Sequence, residues 1–293
     1  MDFLRPTTWA AALAAKAERP AALPIAGGTD VMVELNFDKA RPAALLDLTA
    51  IPELATWRRD ADGTGDRLWI GAAVPYARII EELGDLLPGL AIASRTVGSP
   101  QIRNRGTVGG NLGSASPAGD AHPPLLAAPD TMVEVESVRG GRQIPIADFF
   151  VRPKVSALEP DELIRAIRVS PADGPQQFAK IGTRNAMVIA VCSFAIALHP
   201  AARRVGTGIG SAAPTPLRAG DAEEYLSGAL DWESRGPLDE RVIRRFGELV
   251  AAAARPIDDV RGTAGYRRHA LAVMARRTLT WTWNEYRGAM ACA

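Results

Sequence analysis

Two short stretches set the strongest limit on how this chain folds: PIAGGTDVMVEL at residues 24–35 and NRGTVGGNLGSASPAGD at 104–120. In each, two glycines followed by a polar residue sit beside apolar runs. Glycine loses more conformational freedom on folding than any other residue, so a pair of them set against core marks main chain that is itself put to use. One use is a tight turn, which glycine pairs commonly punctuate. The other is anion binding, in which several backbone N–H groups converge on one ligand and any side chain would hold them away. AGGTD offers the amides of Gly27, Gly28 and Thr29 with a hydroxyl, and GTVGGN offers Thr107, Gly109, Gly110 and Asn111. The small residues Gly113, Ser114, Ala115 and Ser116 extend the second stretch as a groove for something flat or extended. Nothing in packing alone calls for both pairs, so together they favour a concentrated anion such as a pyrophosphate.

Other nucleotide signatures fail. No glycine loop ends in Gly-Lys-Ser/Thr. GTGIGS at 206–211 approaches a dinucleotide fingerprint, but it ends in Ser211 and runs into AAPTP instead of a helix, so it reads as a strand bearing small residues. There is no Gly-x-Ser-x-Gly elbow. The three histidines, His122, His199 and His269, share no metal-ligand spacing, and two cysteines cannot supply the four thiolates of an iron–sulfur cluster. Cys192, inside MVIAVCSFAIAL, reads as a buried small hydrophobe and Cys292 as part of a mobile end. No residue is nominated as catalytic or as a metal ligand. His122 reads as an ordinary loop histidine, with ligand contact as the alternative. A formal net charge of +1 gives no reason to expect a nucleic-acid footprint. No apolar run nears the ~20 residues that span a bilayer, and the N-terminus lacks the pattern of a signal peptide, so the expectation is a cytoplasmic protein with no membrane span.

With 293 residues the chain has room for two or three modest domains. Residues 7–19 predict a helix capped by Thr7 or Thr8, with Trp9 and Leu13 on one face and Pro20 at its end. ALPIAGG is a short strand entering a loop, VMVEL is helix or strand, and ALLDL is a strand, which makes a small α/β unit. DADGTGD at 60–66 is a turn-forming linker. Then come the strand RLWIGA, the helices PYARIIEEL and LPGLAIASRTV, a hairpin of TMVEVESV and RQIPI joined through RGG, and the strand ELIRAIRVS. PADGP at 171–175 is a second break. Beyond it MVIAVCSFAIAL and RVGTGIGSAAP read as strands of one sheet, backed by amphipathic helices near 237–255 and 263–282.

The segments PIAGGTDVMVEL and VGSPQIRNRGTVGGNLGSASPAGD resemble the two FAD-binding segments of the flavin subunit of molybdenum-containing hydroxylases, the xanthine dehydrogenase and carbon monoxide dehydrogenase flavoprotein family. RPTTWAAALA, KIGTRNAMVIAVCSFAIAL and DDVRGTAGYRRHALAVMARR extend the resemblance, in order, over nearly the whole chain. The resemblance implies an α+β fold: a two-part FAD-binding domain of the p-cresol methylhydroxylase type (1–57 and 58–172), then a C-terminal α+β domain of carbon monoxide dehydrogenase flavoprotein type (173–293), a sheet backed by helices. It implies that Pro24, Ile25, Ala26, Gly27, Gly28, Thr29, Asp30 and Val31 form one pyrophosphate loop, and Thr107, Val108, Gly109, Gly110 and Asn111 the other. Asp120 matches an acidic FAD-contacting position, Ile164 a residue that packs on the flavin, and Lys180 a lysine near it; Arg184 lies close by in sequence. Gly113 stands where some relatives carry a larger apolar residue. Read without the resemblance, Ile164 is plain core, Lys180 a solvated strand-end charge and Asp120 the end of a loop. Asp30 beside a phosphate looks electrostatically wrong, unless its carboxylate accepts from loop amides or a sugar.

The function implied is that of an FAD-binding, electron-transferring oxidoreductase subunit. It would take electrons from the 2Fe–2S clusters of a small partner subunit and pass them to NAD+, a quinone or another acceptor. A large molybdopterin subunit would oxidise the substrate, the whole forming a dimer of heterotrimers. A self-sufficient FAD-dependent reductase or oxidase, and a non-enzymatic scaffold subunit, are the alternatives.

Overall fold

Thr8 does cap the first helix: its hydroxyl accepts from the Ala11 amide at 3.2 Å, and Trp9, Ala12 and Leu13 are buried behind it. The helix, α1 (Trp9–Glu18), connects two strands of a small parallel sheet, β1 (Asp2–Leu4) and β2 (Leu23–Ile25), which flank β3 (Ala44–Asp47) in the order β1-β3-β2. The computed structural model describes residues 1–61 and 66–288; Cys292 lies outside them. These residues divide into two units that do not follow chain order. The first comprises Met1–Ile79, Ser99–Ala115 and Asp130–Ser170, and the second Ile80–Gly98, Ser116–Pro129 and the chain from Pro171 on.

In the first unit, VMVEL becomes helix, α2 (Val31–Asn36). None of its residues is buried, and Met32, Val33 and Phe37 stand exposed, so this apolar run does not enter the core. The core lies behind α1 and β3, where Leu13, Leu46, Ile51 and Leu54 meet Leu163. Leu163 opens β10 (Leu163–Val169), the middle strand of an antiparallel sheet with β4 (Trp57–Ala61), β5 (Asp66–Gly71), β6 (Met132–Ser137) and β7 (Gly140–Pro145), ordered β4-β5-β10-β6-β7. β4 and β5 are neighbours in that sheet, and residues 62–65 of the stretch expected as a turn-forming linker, DADGTGD, lie outside the described residues. The expected hairpin is β6–β7, with Gly140 at φ 123° where a side chain would be strained. Alternation in β6 points Val133 and Val135 inward and leaves Glu134 and Glu136 to be satisfied by polar partners. Glu136 accepts from Trp9 Nε1 at 2.9 Å and from Arg165 at 2.7 Å, which ties α1 to the sheet. The helix α3 (Tyr76–Glu82) starts in this unit and crosses into the second.

The second unit is built on β11 (Gln176–Ile181), β12 (Cys192–His199) and β13 (Arg204–Gly210), antiparallel in that order. Every residue of β12 is buried, because helices cover both faces, and that is why CSFAIALH reads as an unbroken apolar run and not an alternating one. On one face Phe194, Ile196 and Leu198 pack with α9 (Gly220–Ala229), α10 (Glu240–Ala253) and α11 (Ala264–Tyr286), through Leu226, Phe246 and Trp283. On the other, Ala195 and Ala197 meet Ala93 of α4 (Pro88–Arg95) and Ala127 of α7 (His122–Ala127). The glycines of GTGIGS explain themselves here. A methyl on Gly208 would stand 2.5 Å from Pro123 Cα, and one on Gly206 would stand 2.9 Å from the Ala127 carbonyl carbon. The stretch is a strand whose small residues seat α7. Cys192 is fully buried and its thiol is pushed up to about 12 by burial. Among the described residues no helix is long and apolar enough to cross a membrane.

Candidate functional site

The glycine pairs of both stretches fall in the first unit, where their main chains meet; residues 116–120 of the second stretch belong to the second unit. The chain leaves β2 at Ile25 and passes through Ala26, Gly27 and Gly28 to Asp30, which precedes α2. Gly27 lies against the second stretch: a methyl in its place would overlap the Arg105 carbonyl oxygen and stand 2.5 Å from its carbon and 2.9 Å from the Gly106 nitrogen. A methyl on Gly106 would in turn lie 3.4 Å from Thr29 Oγ1. Gly28 takes φ 75°, a conformation that L side chains rarely adopt. Among the described residues, the amides of Gly27, Gly28, Thr29 and Asp30 donate to no protein acceptor, although Gly27, Gly28 and Thr29 are half-buried. Four consecutive N–H groups left open in a half-buried turn are what an anion nest requires. The Asp30 side chain is exposed and caps no helix amide.

The second stretch is not the open loop that its glycines suggest. Ser99 caps a short helix, α5 (Pro100–Arg105), and Thr107 caps another, α6 (Val108–Ser114). The Gly110 amide donates to Thr107 Oγ1 at 2.9 Å and the Asn111 amide to the Thr107 carbonyl at 3.0 Å, so these two expected anion donors are engaged within the helix. The reason for Gly109 is also internal: a methyl there would stand 2.5 Å from the Ala72 carbonyl oxygen and 2.6 Å from Ala72 Cα. The expectation that packing does not demand both glycine pairs is therefore corrected. Packing demands Gly27 and Gly109. Arg105 and Ala72, which receive these glycines through their backbones, carry no sequence signal for that role.

Gly113 differs. It is exposed in α6, and the nearest atom to a methyl there would be Ile164 Cδ1 at an ordinary 3.6 Å. Ile164 is itself buried in β10, beside an irregularity in the strand register. Because glycine in a helix costs up to about 1 kcal/mol relative to alanine, Gly113→Ala is expected to stabilise the first unit slightly, by about 0.5 kcal/mol. Chemical denaturation of the variant beside the wild type checks this.

The remaining two expected site residues, Asp120 and Lys180, lie in the second unit and pair with each other. Lys180 Nζ is 2.5 Å from Asp120 Oδ2, with both side chains buried. Lys180 also donates to the Thr96 carbonyl at 3.2 Å, and the Thr96 hydroxyl lies 3.2 Å from the same Asp120 oxygen. Asp120 Oδ1 is buried with no hydrogen-bond partner among the described residues. Burial pushes the Asp120 carboxyl up, against the Lys180 ammonium and the Thr96 hydroxyl, which pull it down. Lys180 is thus not a solvated strand-end charge. His122 is not a loop residue but the fully buried first residue of α7. Arg184 is exposed and turns onto the Ala186 and Met187 carbonyls. Sequence reasoning missed Thr96, which stands at no informative spacing from either partner.

The first loop fits the pyrophosphate of a dinucleotide cofactor: its open amides, positive-φ glycine and half-buried setting would hold the phosphates by main chain alone. Comparison with known proteins bears on which cofactor that is. Residues 1–172 match the family described as the FAD binding domain in molybdopterin dehydrogenase, and residues 177–282 match the CO dehydrogenase flavoprotein C-terminal domain. The chain is 31% identical over 260 residues to the nicotine 6-hydroxylase medium subunit of Paenarthrobacter nicotinovorans, covering 87% of each. It is 30% identical over 294 residues to the putative xanthine dehydrogenase FAD-binding subunit XdhB of Escherichia coli K12, covering 95% of this chain and 94% of that one. Among solved structures, a chain of the carbon monoxide dehydrogenase of Hydrogenophaga pseudoflava aligns with a TM-score of 0.87 at 26% identity over 98% of both chains.

Proposed function

This chain belongs to the FAD-binding subunits of the xanthine dehydrogenase and carbon monoxide dehydrogenase family, and from that premise we propose that it is the electron-transferring subunit of a cytoplasmic molybdenum hydroxylase. On this reading it receives electrons from a small iron–sulfur subunit, passes them to NAD+ or another acceptor, and works beside a large molybdopterin subunit in a dimer of heterotrimers. Residues 1–57 and 58–172 act as the two parts of the FAD-binding domain, and 173–293 as the C-terminal domain.

FAD, when bound, supplies the capacity to carry electrons singly or in pairs. The chain's own residues bind and orient it. Pro24–Val31 present the open amides to the pyrophosphate, and Thr107–Asn111 brace that loop through the contact of Gly27 with Arg105 and Gly106. Ile164 offers an apolar surface to the flavin. The single observation that carries the reading is the run of unclaimed amides from Gly27 to Asp30.

The test is purification of the chain after co-expression with its neighbouring genes. A complex that shows flavin and iron–sulfur absorbance, the latter only in the presence of the partners, is the expected result. A chain that purifies alone and bleaches its own flavin on addition of substrate would contradict the electron-transfer role and favour a self-sufficient oxidase.

A further inference from the structure

We propose that Lys154 belongs to the cofactor site: its ammonium group, seated on Glu34, offsets the negative charge that α2 sets beside the open amides of the first loop. The inference rests on the reading above that Pro24–Val31 holds a pyrophosphate. Lys154 stands at the turn of a two-stranded hairpin, β8 (Phe150–Arg152) and β9 (Val155–Ser156). It takes φ 63°, the left-handed conformation that suits glycine and that other residues seldom adopt. Its amide donates to the Ala115 carbonyl at 3.0 Å, and Ala115, itself at φ 44°, closes α6. The main chain of Lys154 is therefore fixed at the end of the helix that Thr107 begins. From there the side chain reaches α2, where Nζ lies 3.2 Å from Glu34 Oε1. All of these residues belong to the first unit.

A strained residue persists where the surrounding structure imposes it, and such residues cluster at ligand sites. Fold stability does not account for this one. The side chains of the pair are 50% and 36% exposed, and exposed ion pairs contribute little. The electrostatics of the loop supply a use. The Glu34 amide donates to the Asp30 carbonyl at 3.1 Å, so the two residues are one helical turn apart. A turn rises ~5.4 Å, inside the ~8 Å over which charges act at physiological ionic strength. Two carboxylates thus stand beside amides that would receive a pyrophosphate, and both repel it. Lys154 neutralises one of them. Its removal leaves Glu34 uncompensated and weakens the hold on the phosphates without touching the amides.

The experiment is a titration of FAD, followed by flavin fluorescence, into the full chain freed of its cofactor, at low salt and at about 1 M salt. The variants are Lys154→Met, Lys154→Arg, Glu34→Gln, and Lys154→Met combined with Glu34→Gln. Arg203→Met is the control, since it removes the same charge from an exposed pair in the second unit. At low salt Lys154→Met is expected to bind FAD roughly threefold more weakly than the wild type. Lys154→Arg, the double variant and Arg203→Met should bind as tightly as the wild type, and Glu34→Gln at least as tightly. High salt should close the gap, because screening then acts within ~3 Å. A Lys154→Met chain that binds like the wild type at low salt overturns the proposal. So does a loss that persists at high salt and that Glu34→Gln does not relieve, because Lys154 would then act by holding the hairpin to α6. Should Lys154→Met not fold, Lys154→Gly, which keeps the amide and removes the strain with the charge, is read in the same way. A wild-type chain that takes up no FAD at either salt overturns the reading beneath the proposal, and the proposal with it.

Discussion

Gly27→Ala is expected to strip the chain of FAD and to destabilise its first unit by about 3 kcal/mol or more. The alanine methyl would overlap the Arg105 carbonyl oxygen, and the atoms it meets are main chain on both sides, so no flexible side chain can move aside. Relief requires that the Pro24–Val31 loop and the Arg105–Gly106 segment move apart. That motion would change the direction of the four open amides, so stability and cofactor retention should fall together. Thermal unfolding and flavin content of the purified variant measure both. Gly220→Ala is the control, because nothing lies within 4 Å of a methyl there, and it should keep full flavin with a change of less than about 0.5 kcal/mol. A Gly27→Ala variant as stable and as yellow as the wild type would show that the two segments are not interlocked.

Lys180→Met is expected to cost about 3–5 kcal/mol at mildly alkaline pH, the usual effect of removing one partner from a buried ion pair. The loss comes from Asp120, whose carboxylate would keep its burial without its cation. Burial already raises this carboxyl in the folded chain, and loss of the ammonium raises it further. A carboxyl whose folded-state pKa lies above its unfolded value binds more protons folded than unfolded, so its penalty grows as pH rises between the two and is complete above the folded value. The variant should therefore recover stability as pH falls and Asp120 becomes neutral. Urea unfolding at mildly acidic and mildly alkaline pH reads the difference. Replacing both partners, Asp120→Leu with Lys180→Met, should restore much of the loss, since the orphaned charge is gone. A pH-independent loss in Lys180→Met would point to packing as the cause.

Local signals made some of this architecture legible. Thr8 ahead of an apolar helical face, RGG between two alternating runs and the polar–apolar spacing of LDERVIRRFGELVAAAA are each short-range patterns, and each corresponds to an element: α1, the β6–β7 hairpin and α10. What the sequence hid is non-local. β1 has three residues and exists because β3 pairs with it some 40 positions away. VMVEL, open between helix and strand in the sequence, is a helix with no buried residue, which its apolar composition alone does not reveal. In α6, two glycines in the first turn argue for a loop, but the segment is a helix capped by Thr107. Asp120 and Lys180 are separated by 60 residues, and no spacing rule links them. In sequence the glycines read as bare for a ligand, but Gly27 and Gly109 are also small so that main chain can approach main chain.

The most direct test of the central claim is to denature the purified chain and identify the flavin released. The account predicts stoichiometric FAD from the wild type and none from Gly27→Ala. A wild-type chain that purifies colourless and takes up no FAD on reconstitution would contradict it.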